Sequence, residues 1–307
     1  MSFSRRSFLA TATALAVAPL VGCGRTTSAG STPSPSTKRA VVLEFAAADT
    51  LAALGRADAV VGLTRKALPP ALAKAYTSSS IVNVGGLKDV DIDKVASAQP
   101  DVICYGGRQE DKKSELAKIG AQLIDTQVDG SKGTIAHNRQ IVTRLADLYG
   151  AGDAATKALA TIDSKVAAVR AKASTAGPTL VLMVSGGKLS AFGAGSRFDL
   201  IFNELGLTPA LKASGASGGR HGTPMSMEAV AQLDPTTILV LDRDRAIGQA
   251  DAQPAAKVLD NTIIAATKAA RQGRIGYLDG PSWYLVGGGL TTMGLMIDDI
   301  AKAVERA

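Results

Sequence analysis

Short runs of β-forming residues alternate with helix-period segments on both sides of one long helical stretch, residues 134–173. Such alternation is typical of a mostly parallel sheet, because a helix is the usual crossover between parallel strands. The helical stretch is interrupted by YGAGDA (149–154). We therefore expect two helices there, the second over about residues 153–173 and roughly 30 Å long. The pattern predicts an α/β protein of two halves.

Eight short β-rich segments, which alternate with the helix-period segments, are predicted to be strands. They are AVVLEF (40–45), AVVGL (59–63), DVICYG (101–106), AQLID (121–125), TLVLMVS (179–185), KLSAFG (188–193), TTILVLD (236–242) and RIGYLD (274–279). A hairpin is expected across Gly186 and Gly187. Intervening segments such as DTLAALG and DVDIDKVASAQP carry Asp at their starts and Gly or Pro at their ends, as helices prefer.

The first forty residues differ from the rest of the chain. Arg5 and Arg6 precede an apolar run too short to span a bilayer, so residues 1–22 are predicted to be an export signal of the twin-arginine type. PLVGC, which ends at Cys23, resembles a bacterial lipobox, in which the Cys is lipidated and becomes the mature N-terminus. The Ser-, Thr- and Pro-rich segment that follows, to residue 39, cannot bury enough apolar surface to fold. We expect an extracytoplasmic protein anchored to the cell membrane through Cys23.

Charge and cysteine content limit the possible partners. Removal of residues 1–22, which carry two arginines and no acid, lowers the net charge from +7 to +5. A mild basic excess fits an anionic ligand or lipid headgroups. No aromatic residues alternate with a Lys/Arg run, so nucleic acid is not an expected partner. Cys104 is the one remaining cysteine, which excludes an internal disulfide in the mature domain and indicates a core position.

Catalytic motifs are weak in this sequence. Ser185 and Lys188 match the S-x-x-K motif of β-lactamases, but that motif needs Ser at a helix start, and here it falls between two predicted strands. A turn is therefore favoured, and a Ser/Lys hydrolase is the alternative, testable by acylation with a labelled penicillin. The two histidines, His137 and His221, are too few for a multi-histidine metal site. His137 is expected on the solvent side of a helix, and His221 in a Gly-rich loop.

Four blocks of the sequence together carry a family resemblance. They are NVGGLKDVDIDKVASAQPDVICYGGR, SAFGAGSRFDLIFNELG, GRHGTPMSMEAVAQLDPTTILVLDR and GRIGYLDGPSWYLVGGGLTT. In this order, over roughly residues 40–307, they resemble the solute-binding lipoproteins of bacterial ABC importers for ferric siderophores, and within that family the catecholate branch.

The resemblance implies the class III periplasmic-binding-protein fold, with two Rossmann-like α/β lobes joined by a long rigid helix. The expected lobes are residues 40–149 and 175–307, with the interlobe helix within 150–174 and the ligand in a shallow cleft. It also implies a monomeric binding protein that is not an enzyme and has no intrinsic cofactor. Its ligand would be an Fe(III)-siderophore complex.

In the catecholate branch that this sequence resembles, two protein residues bind iron when the siderophore supplies only four of the six donor atoms around the metal. The matching residues are His221 and Tyr284. Fe(III) is a hard ion that favours anionic oxygen, so a Tyr phenolate is a suitable ligand and a neutral imidazole a tolerable one. Trp283 is expected either to stack on a catechol ring or to pack behind the loop, and packing is preferred.

The same branch places arginines on the cleft floor, and the matching residues are Arg108, Arg197 and Arg243. Iron catecholates are anionic, and a guanidinium stays charged and donates to several oxygens at once. The alternative for each is a surface arginine paired with a nearby acid, such as Asp199 or Asp242.

The remaining implied partner is an ABC permease with its ATPase, which family members meet through one acidic residue on each lobe. The matching residues are Asp93 and Glu228, and the alternative for both is an ordinary acid on a helix surface. The alternative cargoes are a hydroxamate siderophore, haem or cobalamin. A neutral hydroxamate complex already has six ligand atoms and would not need His221 and Tyr284.

Overall fold

The computed structural model describes residues 37–129, 133–211, 221–249 and 251–305. The predicted export signal, Cys23 and most of the predicted tether lie outside the described residues. None of the described helices is long and apolar enough to cross a membrane.

The first sheet is entirely parallel and has the strand order β3-β2-β1-β4-β5. Its strands are β1 (Ala40–Val42), β2 (Val60–Leu63), β3 (Val82–Asn83), β4 (Val102–Tyr105) and β5 (Gln122–Asp125). All four predicted strands of this half are present, and β3 was not predicted. Cys104 is fully buried in β4, as expected, and its burial raises the pKa of the thiol to about 12.

The second sheet is mixed and has the order β10-β9-β6-β7-β8. Its strands are β6 (Thr179–Ser185), β7 (Lys188–Phe192), β8 (Thr223–Met225), β9 (Thr237–Asp242) and β10 (Ile275–Tyr277). The expected hairpin joins β6 to β7, with Ser185 paired to Lys188. Its turn is formed by Gly186 and Gly187, whose φ values of 55° and 72° lie in the left-handed region that glycine adopts easily.

Twelve α-helices lie in the described ranges. They are α1 (Phe45–Ala53), α2 (Pro70–Ala73), α3 (Ile92–Ser97), α4 (Lys113–Ala117), α5 (Thr134–Leu148), α6 (Gly152–Lys172), α7 (Met227–Leu233), α8 (Arg243–Ala246), α9 (Ala255–Val258), α10 (Thr262–Ala265), α11 (Lys268–Arg271) and α12 (Thr291–Glu305). The predicted break at YGAGDA separates α5 from α6. Residues Leu200–Glu204 and Pro281–Val286 form π-helical turns.

The long helix α6 follows from its apolar spacing. Its buried residues recur every three, four or seven positions, which places them on one face. They are Ala155, Leu159, Ile162, Val166 and Val169. Burial of each large apolar side chain contributes about 1.5–3 kcal/mol. This face belongs to the same core cluster as the buried face of α12, and Lys165 of α6 pairs with Asp298 of α12 at 2.6 Å.

The start of α1 differs from the prediction. Asp49 was expected to begin a helix, but α1 begins at Phe45, and Asp49 lies within it and is buried. The Asp49 carboxylate instead accepts hydrogen bonds from the backbone N–H groups of Thr291 (2.8 Å) and Thr292 (3.2 Å), at the start of α12. The strand predicted over AVVLEF is correspondingly shorter. A residue of the first half therefore caps the last helix of the chain.

Two further contacts join distant parts of the chain. The side chain of Asn138 in α5 exchanges hydrogen bonds with the backbone of Gly289, at 3.0 and 2.7 Å. Glu204 accepts from the N–H groups of Thr134 and Ile135 at the start of α5, at 2.6 and 2.9 Å. A carboxylate at a helix start satisfies N–H groups that lack a partner within the helix. These bonds connect α5 to the segment after β7 and to the loop before α12.

Candidate ligand-binding site

The π-helical turn Pro281–Val286 packs against two separate hydrophobic cores. Trp283 belongs to the core that includes the faces of α6 and α12, whereas Leu285 and Val286 belong to the core beneath the first sheet. Tyr284 lies between these residues, is partly buried and touches both cores. The turn ends at Gly287, whose φ of 66° is left-handed. This segment therefore holds Tyr284 at the junction of the two sheets.

Trp283 is a core residue in this structure. Its side chain is 4% exposed, its Nε1 donates to Asp299 Oδ2 at 3.1 Å, and its ring lies 5.9 Å from that of Phe198. A buried indole usually finds such an acceptor for its N–H. The structure favours the packing interpretation of Trp283 over stacking on a ligand.

Two arginines of the second half contact the side chain of Tyr284. Arg243 donates from Nε to the Tyr284 hydroxyl oxygen at 2.8 Å, and its guanidinium carbon lies 5.3 Å from the ring centre. The guanidinium carbon of Arg197 lies 4.6 Å from the same ring centre, within cation–π range. The hydrogen bond to Tyr284 raises the pKa of Arg243. The phenol ring is thus flanked by two positive charges.

Arg108 reaches the same turn from the first half. It follows β4 and donates to the backbone carbonyl of Tyr284 at 3.1 Å and that of Leu285 at 3.2 Å. Its Nη1 also pairs with Glu44 Oε2 at 2.9 Å. The three predicted arginines therefore converge on one turn of the backbone.

Glu44 was not predicted as a site residue. It follows β1, is buried, and has one carboxylate oxygen, Oε1, without a hydrogen-bond partner among the described residues. Burial raises the pKa of Glu44, and the charge of Arg108 opposes that rise. The signal in the sequence was an acidic residue directly after the apolar run AVVL. A parallel strand ends at that position, where ligands commonly bind.

Asp244 was not predicted as a site residue either. It contacts Ser185, whose hydroxyl is hydrogen-bonded to Asp244 and Arg243 and not to Lys188. The Ser185 hydroxyl lies 3.0 Å from Asp244 Oδ1 and 3.2 Å from Arg243 Nη1. Lys188 is exposed at the far side of the hairpin turn. The turn expected from the sequence between β6 and β7 is therefore present, and Ser185 belongs to the surroundings of Arg243.

The two histidines have different positions. His221 is exposed, and its neighbour Gly222 packs so closely on Phe192 that an added Cβ would lie 2.6 Å from the ring. Phe192 contacts Phe198 at 4.9 Å between ring centres, and Phe198 in turn contacts Trp283. Gly222, the residue after His221, therefore packs on the aromatic cluster of Phe192, Phe198 and Trp283. His137, expected on a solvated face, is half-buried and accepts the N–H of Asp129 at Nδ1, 2.7 Å away.

Asp93 and Glu228 occupy similar positions in the two halves. Asp93 is exposed in the first turn of α3, which is capped by Asp91, and Glu228 is exposed in the first turn of α7, which is capped by Ser226. Hydrogen bonds from its own backbone N–H and from Ser226 lower the pKa of Glu228. Both acids are accessible to a partner.

Two cavities lie away from the three arginines. One, of about 410 Å³, is beside Arg56 and Gly152, and the other, of about 320 Å³, is beside Lys165 and Leu295. No group of three or more His, Cys, Asp or Glu side chains in the described ranges is arranged to hold a metal ion.

A family model described as periplasmic binding protein matches residues 41–281. The chain is 35% identical to the petrobactin-binding protein YclQ of Bacillus subtilis over 270 residues, 88% of this chain and 83% of that protein. The crystal structure of that protein superposes with a TM-score of 0.80, at 33% identity, covering 87% of this chain and 92% of the other. The periplasmic catecholate-siderophore binding protein VctP of Vibrio cholerae gives 0.79 at 26% identity, covering 86% and 93%.

Proposed function

We propose that this chain, which belongs to the periplasmic binding protein family, captures an anionic Fe(III)-catecholate complex outside the cytoplasm and delivers it to an ABC permease. The observation that carries the proposal is the convergence of Arg108, Arg197 and Arg243 on the backbone and ring of Tyr284. The relatives named for petrobactin and for catecholate siderophores support the same ligand class.

The charges of the site fit this cargo. Each iron-bound catecholate carries two negative charges against the three positive charges of Fe(III), so a bis-catecholate complex is a net anion. Arginines offer planar sets of N–H donors that suit its oxygens. A neutral hydroxamate complex carries no net negative charge for the arginines to attract, so it is the less favoured cargo.

Iron coordination gives Tyr284 and His221 separate roles in the proposal. A four-donor catecholate leaves two positions of an octahedral iron shell open, and a phenolate oxygen and an imidazole nitrogen can complete it. Iron is cargo here and not a resident cofactor. The protein would gain affinity by adding ligands to iron as well as by charge pairing, without any bond in the siderophore being broken. We therefore also propose that the chain has no catalytic activity.

The remaining assignments complete the proposed delivery system. The predicted lobes, residues 40–149 and 175–307, would hold the ligand between them, as a monomer tethered to the membrane by lipidated Cys23. Asp93 and Glu228 would each meet a basic residue of the permease. Asp93→Lys and Glu228→Lys should then reduce uptake while leaving ligand affinity intact; unchanged uptake would remove the docking assignment.

Spectroscopy of the iron complex tests the proposal. The purified protein is mixed with Fe(III) bound to a four-donor bis-catecholate, and its resonance Raman spectrum is recorded with excitation in the iron charge-transfer band. Tyrosinate vibrations should appear in the wild-type complex, vanish in Tyr284→Phe and persist in Tyr277→Phe, which alters an exposed tyrosine at the end of β10, outside the turn. His221→Ala should weaken binding without removing them. A wild-type complex without these vibrations would contradict iron ligation by Tyr284.

A further inference from the structure

We propose that Asp244 and Ser185 are positioning residues for Tyr284, acting through Arg243. They fix the Arg243 guanidinium, and its Nε–H then holds the Tyr284 oxygen at the place where an iron complex meets it. The inference rests on the proposed function, because it concerns the ring assigned to the iron.

Asp244 is placed to act as an anchor and not as a ligand-facing charge. Its side chain is 5% exposed, and both carboxylate oxygens are engaged. Oδ2 accepts the backbone N–H of Gly186 at 2.6 Å, and Oδ1 accepts from the Ser185 hydroxyl at 3.0 Å and from Arg243 Nη1 at 3.3 Å. A buried carboxylate whose two oxygens both accept hydrogen bonds from fixed groups is held in one orientation.

Ser185 closes a triangle with Asp244 and Arg243. Its single hydroxyl proton goes to Asp244, so its oxygen is left to accept from Arg243 Nη1 at 3.2 Å. Ser185 is the last residue of β6, directly before the glycine turn, so its backbone is held by the sheet. Both hydrogens of Arg243 Nη1 are therefore directed to one rigid corner of the second half.

A guanidinium is planar, so holding one nitrogen sets the direction of the others. With Nη1 fixed, Nε points its one hydrogen to the Tyr284 oxygen at 2.8 Å. Within the described ranges, Nη2 of Arg243 has no hydrogen-bond acceptor, so its two hydrogens are available to an oxygen of the ligand. The guanidinium carbon of Arg197 lies 4.6 Å from the centre of the Tyr284 ring. The phenol oxygen accepts one hydrogen bond from Arg243; on binding iron as a phenolate it would release its own proton to solvent and use a further lone pair for the metal.

The position of the Tyr284 oxygen matters because it can bind iron only when it lies within bonding distance of the metal. A site whose supporting residues hold the ligand atoms in advance loses less freedom on binding and binds more tightly. Without Asp244 or the Ser185 hydroxyl, Arg243 would retain its charge but could swing away from Tyr284. The anion would still be attracted, yet the tyrosine would less often reach the iron.

Asp244→Asn and Ser185→Ala test this inference, with Asp242→Asn as the matched control and Ser185→Thr as the rescue. Asp242 precedes Arg243 and caps α8 through the N–H of Arg245, and it makes no hydrogen bond to the guanidinium. The probe is the ferric bis-catecholate used above. We expect each test variant to bind it roughly tenfold more weakly and to lose tyrosinate Raman intensity, whereas the control and Ser185→Thr resemble wild type.

A double-mutant cycle separates positioning from a general structural role. If Asp244 acts through Tyr284, most of the effect of Asp244→Asn on affinity disappears in the Tyr284→Phe background; full additivity would overturn the inference. Full tyrosinate intensity in both test variants would also overturn it and leave the proposed function intact. Absence of the signal from wild type would remove iron ligation and the inference together. If Asp244→Asn does not fold, Ser185→Ala against Ser185→Thr, with Ser185→Ala crossed with Tyr284→Phe, decides the question.

Discussion

Arg108 and Arg243 reach the same turn from opposite sheets, with equal exposure, but they are held differently. Each arginine side chain is 32% exposed and pairs with a buried acid, whose side chain is 8% exposed for Glu44 and 5% exposed for Asp244. Asp244 has both oxygens engaged, whereas Glu44 keeps one oxygen without a partner among the described residues. At the turn, Arg243 donates to the side-chain hydroxyl of Tyr284, whereas Arg108 donates to the backbone carbonyls of Tyr284 and Leu285.

This difference separates two tasks within one site. Arg243 and the residues that hold it fix the side chain of Tyr284, which is proposed to bind iron. Arg108 attaches the first half to the backbone of the turn, and its partner Glu44 keeps one carboxylate oxygen without a hydrogen bond among the described residues. We therefore expect changes at Arg243 to affect ligand binding most, and changes at Arg108 and Glu44 to affect binding, stability and pH dependence together.

The largest effect is expected for Arg243→Ala. It removes a charge from the anion site, frees Tyr284 and leaves Asp244 with one donor fewer. Truncation of one partner of such a hydrogen-bonded charge pair costs about 2–5 kcal/mol, at least roughly 30-fold in Kd. Isothermal titration with the ferric bis-catecholate measures the loss. Arg245→Ala, two residues away and exposed, should stay near wild type; equal losses in the two variants would contradict the assignment.

Arg108→Ala should weaken binding less, by roughly tenfold. The variant loses one positive charge of the proposed site but keeps Arg243, Arg197 and the hydrogen bond from Arg243 to the Tyr284 oxygen. It should also unfold at lower urea concentration, because Glu44 stays buried without its cation and the two carbonyls of the turn lose a donor. A binding loss larger than that of Arg243→Ala would reverse the comparison between the two arms.

Glu44→Gln is expected to raise affinity for the anionic complex by a few-fold, since it removes a negative charge beside Arg108. It should also change the pH dependence of stability. The folded-state pKa of Glu44 is raised by burial, so the folded protein binds the proton more tightly than the unfolded chain does. Ionisation of Glu44 therefore costs stability as the pH rises from the ordinary value of 4.5 through the raised one.

The measurement is urea unfolding of wild type and Glu44→Gln at several pH values. Stability of wild type relative to the variant should decline across that window and level off above it. A wild-type advantage that grows with pH would contradict the raised pKa.

The smallest effect on binding is expected for Trp283→Phe. The indole is buried against Phe198, so its replacement should leave the affinity within about twofold, the range of a residue that makes no ligand contact. Thermal stability should fall, because the packing volume and the hydrogen bond to Asp299 are lost. Titration followed by iron absorbance measures the affinity. A tenfold loss of affinity would instead indicate that Trp283 stacks on the ligand.

Much of the fold could be predicted from the sequence because the central strands are continuous apolar runs. TLVLMVS forms β6 over the predicted residues, and the helix expected over 153–173 is α6. The strands that were missed are short edge elements. β3 has two residues, and β8 contains Pro224, a residue that the middle of a sheet excludes. Such strands depend on their neighbours and leave little pattern of their own.

The site was predictable only in part, for a related reason. Arg108, Arg197 and Arg243 stand in motifs that carry a resemblance, and the structure brings them together around Tyr284; their role in ligand binding stays a prediction. Glu44 lies 64 residues from Arg108, so their contact depends on the pairing of β1 with β4. Asp49 was misassigned because Asp is a good helix start in isolation, whereas tertiary contacts made it the cap of a helix more than 240 residues later.

A side-by-side titration of the purified protein with a ferric bis-catecholate and a neutral ferric tris-hydroxamate tests the proposed ligand class. Fluorescence quenching of Trp283, the single tryptophan, and iron absorbance can report both equilibria. We expect tight binding of the bis-catecholate, weakened by added salt, and weak or no binding of the hydroxamate. Preference for the hydroxamate would show that charge pairing by the arginines and iron ligation by Tyr284 do not determine binding.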